Sequence, residues 1–80
     1  MKLTGPLLKA ARILARLEQA EVAQETGMSV TTIRRMERDE KKVDGSKAFT
    51  ILYTQILEKH GIEFIETKKG VGIIIHNKDQ

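Results

Sequence analysis

The stretch that decides the fold reads EQAEVAQETGMSVTTIRRME and covers residues 18–37. Its apolar and small residues recur at spacings of three and four, which is typical of amphipathic helices. Gly27 predicts a helix end in the left-handed conformation that glycine tolerates, and Ser29 predicts the N-cap of the next helix. The stretch therefore predicts two short helices joined by a tight turn, the first from residue 18 or 19 to residue 26 and the second from residue 30 to about residue 38.

Further helices are predicted on both sides of this pair. Residues 4–6 (Thr-Gly-Pro) predict the start of a helix that runs to about residue 16, because proline is tolerated in a first turn. Residues 39–45 are polar and predict a loop. Ser46 predicts the N-cap of a fourth helix over residues 47–60, which a glycine ends.

The fourth helix carries more apolar residues than one packing face requires. Phe49, Leu52 and Ile56 fall on one row, which predicts the face that joins the core. The additional apolar residues are Ile51, Tyr53 and Leu57. We therefore expect part of this helix to remain exposed in a monomer.

The pattern changes after Gly61. Residues 62–65 and 71–75 are β-branched and largely alternating, and Lys68-Lys69-Gly70 separates them, which predicts a β-hairpin. A lone two-stranded hairpin is marginally stable in water. It must therefore pack on the fourth helix or pair with a second chain, and residues 77–80 after it are expected to be disordered.

Length and composition bound the function. Eighty residues suffice for one compact domain, and the absence of cysteine excludes disulfides and thiolate metal sites. No apolar run approaches the ~20 residues that span a bilayer, and basic residues interrupt the N-terminal apolar stretch where a signal peptide would need an unbroken one. The net charge of +3 is only weakly indicative of nucleic acid.

An enzyme is not expected. His60 and His76 lie 16 residues apart, without a carboxylate cluster at metal-ligand spacing. Ser29 and Ser46 are better explained as helix caps than as nucleophiles, and the glycines around Val71 lack the following helix that a phosphate-binding loop needs. We therefore predict no catalytic residue, no cofactor and no metal site.

The third helix has two unlike faces on a helical wheel. Ile33 and Met36 fall on one side. The opposite side gathers small groups at the N-terminal end and cations further along, namely Val30, Thr31, Arg34, Arg35 and Arg38. A major-groove reading helix has this arrangement, although a solvated basic face would have it too.

Residues 18–37 resemble the Cro/CI-type (XRE) helix-turn-helix family. The family's characteristic positions are occupied by Gln19, Glu21, Val22, Ala23, Gly27, Ser29, Ile33 and Glu37. The resemblance extends over roughly residues 5–60. It implies a mainly α fold, a four-helix lambda-repressor-like DNA-binding domain over residues 1–61, with a C-terminal β-hairpin over 62–76 that packs on helix 4 or forms a dimer interface.

The resemblance also implies the residues that contact double-stranded DNA. They are Gln19, Ser29, Val30, Thr31, Thr32, Arg34, Arg35, Arg38, Lys41 and Lys42. Val30, Thr31 and Arg35 are expected at base edges. Ser29 and Thr32 are expected at phosphates that fix the register. The DNA backbone is also expected to be contacted by Arg38, Lys41 and Lys42. Gln19 is expected at the backbone or a base edge, and Arg34 at a base or a phosphate.

Four positions concern the helical framework rather than the contacts to DNA. Arg12 and Glu37 are expected to form a partly buried salt bridge. Arg16 stands where the family usually has glycine, so it must accept a strained conformation or a different turn. Glu18 stands where the family favours Ser, Thr or Asn, which cap a helix better.

The resemblance predicts a cytoplasmic transcriptional regulator, by default a repressor, that binds as a homodimer. The alternative is an antitoxin or anti-repressor of the same fold that binds a partner protein through its apolar C-terminal surface. The two functions are compatible with each other.

Overall fold

The computed structural model describes residues 3–41 and 43–76, which contain four helices followed by a two-stranded sheet. In chain order the elements are α1 (Gly5–Leu14), α2 (Gln19–Thr26), α3 (Val30–Arg38), α4 (Ala48–Lys59), β1 (Ile62–Thr67) and β2 (Gly70–Ile75). The predicted fold class is confirmed. The predictions for Lys42 and for residues 77–80 lie outside the described residues. In the part of the chain that is described, no helix combines the length and the apolar character needed to cross a membrane.

The core is one cluster to which every helix and β1 contribute. Its buried apolar members are Leu8, Ala11, Leu17, Val22, Ala23, Ile33, Tyr53, Leu57 and Ile62. Val22 and Ala23 form the inner face of α2, as its spacing predicts. Ile33 is the fully buried anchor of α3.

The start of α1 lies against the end of α3. Thr4 caps α1 by accepting a hydrogen bond from the amide of Leu7 at 3.3 Å. The amide of Gly5 donates to the carbonyl of Asp39 at 2.8 Å. A Cβ added at Gly5 would lie 2.2 Å from the carbonyl oxygen of Met36. The two backbones therefore approach so closely that only glycine fits at this position.

The turns after α1 and α2 use the left-handed backbone conformation. Gly27 ends α2 with φ of 78°, as predicted. Arg16, after α1, has φ of 61°, the one positive value among the non-glycine residues that the structure describes. Of the two outcomes expected for Arg16, the chain thus shows the strained conformation, since a side chain in this region is disfavoured.

The predicted inner face of α4 is wrong. Thr50, Tyr53 and Leu57 are the buried residues of this helix, while Phe49 is 53% exposed and Leu52 is 37% exposed. The helix is turned because the hydroxyl of Tyr53 donates a hydrogen bond to the buried carboxylate of Glu37. A pattern of apolar residues alone gives no weight to that bond.

The predicted cap of α4 is also wrong. Lys47 occupies the N-cap position and makes no side-chain capping bond. Ser46 instead directs its amide and its hydroxyl to the Oδ1 atom of Asp44, at 2.9 and 2.6 Å. Because the hydroxyl of Ser46 is bonded to Asp44, it does not cap the helix, which begins at Ala48.

The hairpin is antiparallel, with Ile62 opposite Ile75 and Thr67 opposite Gly70. Ile62 is 2% exposed, and β1 lies against α4. Phe64 and Ile73 pack partly on the core. One face of the hairpin therefore extends the core past the end of α4.

Candidate nucleic-acid interface

The orientation of α3 is fixed from its first turn to its last. Ser29 caps the helix by accepting a hydrogen bond from the amide of Thr32 at 3.1 Å, and the two hydroxyls lie 3.0 Å apart. Ile33 is fully buried and Glu37 is 4% exposed. Because these two residues share one face, the opposite face must point to solvent.

That outer face is positively charged. Thr31, Arg34, Arg35 and Arg38 are all exposed, and Val30 and Thr32 at the N-terminal end are half-buried. Glu37, the one acidic residue of α3, points inward and is paired there. No acid of this helix therefore neutralises the exposed arginines.

A shallow groove runs between α3, α1 and the start of α2. It is lined by Lys9, Arg12, Glu18, Gln19, Ala20, Val30 and Arg34. The structure thus brings together Gln19, Val30 and Arg34, which were predicted separately. Lys9 joins them, although it was not among the predicted DNA contacts. The sequence feature that could have identified Lys9 is the run of positive charge, without an acid, in the first helix.

The buried carboxylate of Glu37 connects the helices that line this groove. The guanidinium of Arg12 donates to Glu37 from Nε at 2.7 Å and from Nη2 at 3.1 Å. The side-chain amide of Gln19 donates to Glu37 at 3.0 Å, and the hydroxyl of Tyr53 donates to its other oxygen. The predicted Arg12–Glu37 salt bridge is confirmed, and Gln19 and Tyr53 complete it as donors from α2 and α4.

These contacts set the charge states of the cluster. Burial by itself raises the pKa of Glu37, but the hydrogen bonds from Arg12, Tyr53 and Gln19 outweigh it and lower the pKa below its ordinary value. The hydrogen bond to Glu37 raises the pKa of Arg12 despite burial. Burial and the bond to Glu37 raise the pKa of Tyr53, so the phenol stays a donor.

The other predicted DNA contacts lie at the edges of the outer face. Arg38 is the last residue of α3 and lines a second groove with Pro6 and Glu40. Lys41 is exposed beyond it, its amide bonded to the carboxylate of Asp39 at 3.0 Å. Lys42 lies outside the described residues.

The corner before α2 departs from the family as predicted. Glu18 occupies the N-cap position and forms a capping box with Glu21, in which each side chain accepts from the backbone amide of the other residue. The carboxylate of Glu21 accepts from the amide of Glu18 at 2.8 Å. The start of α2 is therefore capped although Glu18 stands where the family favours Ser, Thr or Asn.

Comparison with known proteins identifies the family of this chain. No curated protein matches the sequence. A helix-turn-helix family model matches residues 8–52, more than half of the chain, from the first turn of α1 into α4. The match spans α2, α3 and the groove beside them, and members of this family are DNA-binding regulators rather than enzymes. The chain belongs to the Cro/CI-type (XRE) helix-turn-helix family.

Proposed function

We propose that this protein is a transcriptional repressor that binds a specific double-stranded DNA sequence as a homodimer in the cytoplasm. The observation that carries the proposal is the outer face of α3, with Thr31 at its N-terminal end and three exposed arginines beyond it. The N-terminal end of a reading helix enters the major groove, where side chains reach base edges. Repression is the simplest consequence, because occupancy of an operator excludes other proteins without further contacts.

Each side chain has a role in this proposal. Val30 and Thr31 contact base edges, and Val30 packs on a thymine methyl group. Arg35 donates two hydrogen bonds to a guanine, the commonest specific pairing. Arg34 and Lys9 lie beside the groove and face the phosphates.

Gln19 and the hydroxyls at the helix start fix the register. Ser29 and Thr32 offer their hydroxyls to one phosphate, and Arg38, Lys41 and Lys42 neutralise phosphates further along the backbone. Gln19, at the start of α2, contacts the DNA backbone or a base edge while its side-chain nitrogen stays hydrogen-bonded to Glu37. In this proposal residues 1–61 are the DNA-binding domain, and the hairpin over 62–76 serves assembly.

The experiment begins with selection of DNA by the purified protein from a random pool, which we expect to yield a palindromic site. Arg35→Ala should then weaken binding to that site by about 1–3 kcal/mol and relax the base preference at one position. Lys42→Ala, the control, should weaken binding to all sequences alike and reduce the salt slope by about 1. If Arg35→Ala left specific and non-specific affinity unchanged, the orientation of α3 on DNA would be wrong.

A second candidate function rests on a different surface. Phe49, Ile51 and Leu52 of α4 are 53%, 41% and 37% exposed, an apolar surface of the kind that partner proteins cover. An antitoxin or anti-repressor would use it. Co-purification of a protein at fixed stoichiometry would favour this function, whereas DNA affinity that falls steeply with salt favours the repressor.

A further inference from the structure

The outer edge of the hairpin is unusual in its composition. β2 reads GVGIII, without a charge or a proline. Ile74 and Ile75 are 40% and 49% exposed. Proteins normally protect an edge strand with charges, proline or a covering element, since unpaired backbone groups there recruit another strand. β1 differs from β2, because it carries the charged residues Glu63 and Glu66.

The hydrogen-bond pattern shows which backbone groups of β2 face outward. The amide of His76 donates to the carbonyl of Gly61 at 2.7 Å, so this pair faces inward. Inward and outward positions alternate in an antiparallel ladder. The N–H and C=O groups of Val71, Ile73 and Ile75 therefore point away from β1.

These three positions are self-complementary about a two-fold axis. In an antiparallel pair of two β2 strands centred on Ile73, Ile73 faces its own copy and Val71 faces Ile75. All outward amides and carbonyls of the three residues then have partners. On the other face, Ile74 of one copy lies opposite Gly72 of the second copy. Gly72 has no side chain, and a Cβ added there would lie 3.4 Å from the nearest carbon of Ile65. The absent side chain leaves room for Ile74.

We infer that two copies of this chain associate through β2, in antiparallel register centred on Ile73, to form a four-stranded sheet. The inference rests on the homodimer of the proposed function and identifies its interface. A second copy fits this edge because β2 carries no charge to repel itself, and because three or more strands give a sheet the stability that two lack. A two-fold axis at this edge closes the pairing, so that no free β2 edge remains for a third chain.

The test measures the oligomeric state of the full chain by analytical ultracentrifugation, without DNA. Wild type should be a dimer at micromolar concentration. Ile74→Lys should lower the association constant by about tenfold or more, because lysine on an edge strand opposes pairing. The matched control is Ile51→Lys on α4, which changes the same residue type at 41% exposure against 40% and should leave the dimer intact.

A second variant addresses the backbone. Val71→Pro removes one outward amide and no bond to β1, so it should keep the hairpin and weaken the dimer. Circular dichroism and thermal unfolding identify any variant that fails to fold. A monomeric wild type, open-ended association, equal loss in Ile51→Lys, or a dimer that both β2 variants leave intact would each overturn the inference.

The failure of this inference and that of the proposed function give different results. If β2 forms the dimer but no DNA sequence is selected, the interface stands and the repressor does not. If folded, monomeric Ile74→Lys keeps the base preference of one half-site with weaker overall binding, both stand. If DNA is selected by a dimer that the β2 variants do not affect, the repressor stands and this interface does not.

Discussion

Replacing Glu37 by glutamine keeps the size of the side chain and removes the charge on which four hydrogen bonds converge. Arg12, 8% exposed, would retain a buried positive charge without its partner. Breaking a buried ion pair in this way is destabilising by about 3–5 kcal/mol. A domain of 80 residues has a free energy of unfolding of only about 4–12 kcal/mol. We therefore expect Glu37→Gln to remove about a quarter or more of it and to lower the Tm by about 12 °C or more.

The same substitution should change the response to acid. Because the folded-state pKa of Glu37 lies below its ordinary value of 4.5, the carboxylate contributes stability that is fully present above pH 4.5. That contribution is lost as the pH falls below 4.5 and through the folded-state pKa. Wild type should lose stability over this range more steeply than Glu37→Gln, whose amide does not titrate.

Urea unfolding followed by circular dichroism, at pH 7 and at several values below pH 4.5, measures both effects. The matched control is Glu25→Gln, whose carboxylate lies on the surface 3.8 Å from Lys59 and 3.5 Å from the ring of His60. An exposed pair contributes less than about 1 kcal/mol. The reasoning would be refuted if the two glutamine variants were equally stable, or if Glu37→Gln kept the acid slope of wild type.

Two further predictions concern the backbone at the ends of α1. Gly5→Ala should be destabilising by about 2 kcal/mol or more, since its Cβ would meet three backbone atoms within 2.8 Å. Gly45→Ala, whose Cβ would meet nothing within 4 Å, should be nearly neutral. Thermal unfolding measures both variants. Arg16→Gly should raise the free energy of unfolding by up to about 1 kcal/mol, because glycine tolerates φ of 61°. Arg16→Ala removes the same side chain without relieving the backbone, so an equal gain in both variants would contradict this account.

The first three helices could be predicted because their ends are marked locally. Gly27 and Ser29 lie next to each other along the chain and act on the backbone within one turn, so α2 and α3 were bounded correctly. Arg16 was expected to be strained for a similarly local reason. The Arg12–Glu37 pair came from the family resemblance, not from local pattern.

The orientation of α4 could not be predicted in this way. It depends on a bond between Tyr53 and Glu37, which are 16 positions apart and meet only through the packing of the helices. A count of apolar residues favoured Phe49 and Leu52, which are larger and more hydrophobic than the buried Thr50.

The candidate site was predicted in its parts but not in its arrangement. The exposed face of α3 followed from helical periodicity. The groove that joins Gln19, Val30 and Arg34 did not, because it depends on how α1 and α2 each lie against α3. Lys9 was missed for the same reason, and no local pattern indicates that Gly5 lies close to the backbone of Met36.

The Glu37 carboxylate accepts hydrogen bonds from α1, α2 and α4 at once, while it belongs to α3. In the proposed function, α3 is held from three sides before it meets DNA, so it has little conformational freedom left to lose on binding. Such preorganisation favours affinity without enlarging the contact surface. It also means that a mutation in the interior, far from any base, can weaken recognition by loosening the helix rather than by removing a contact.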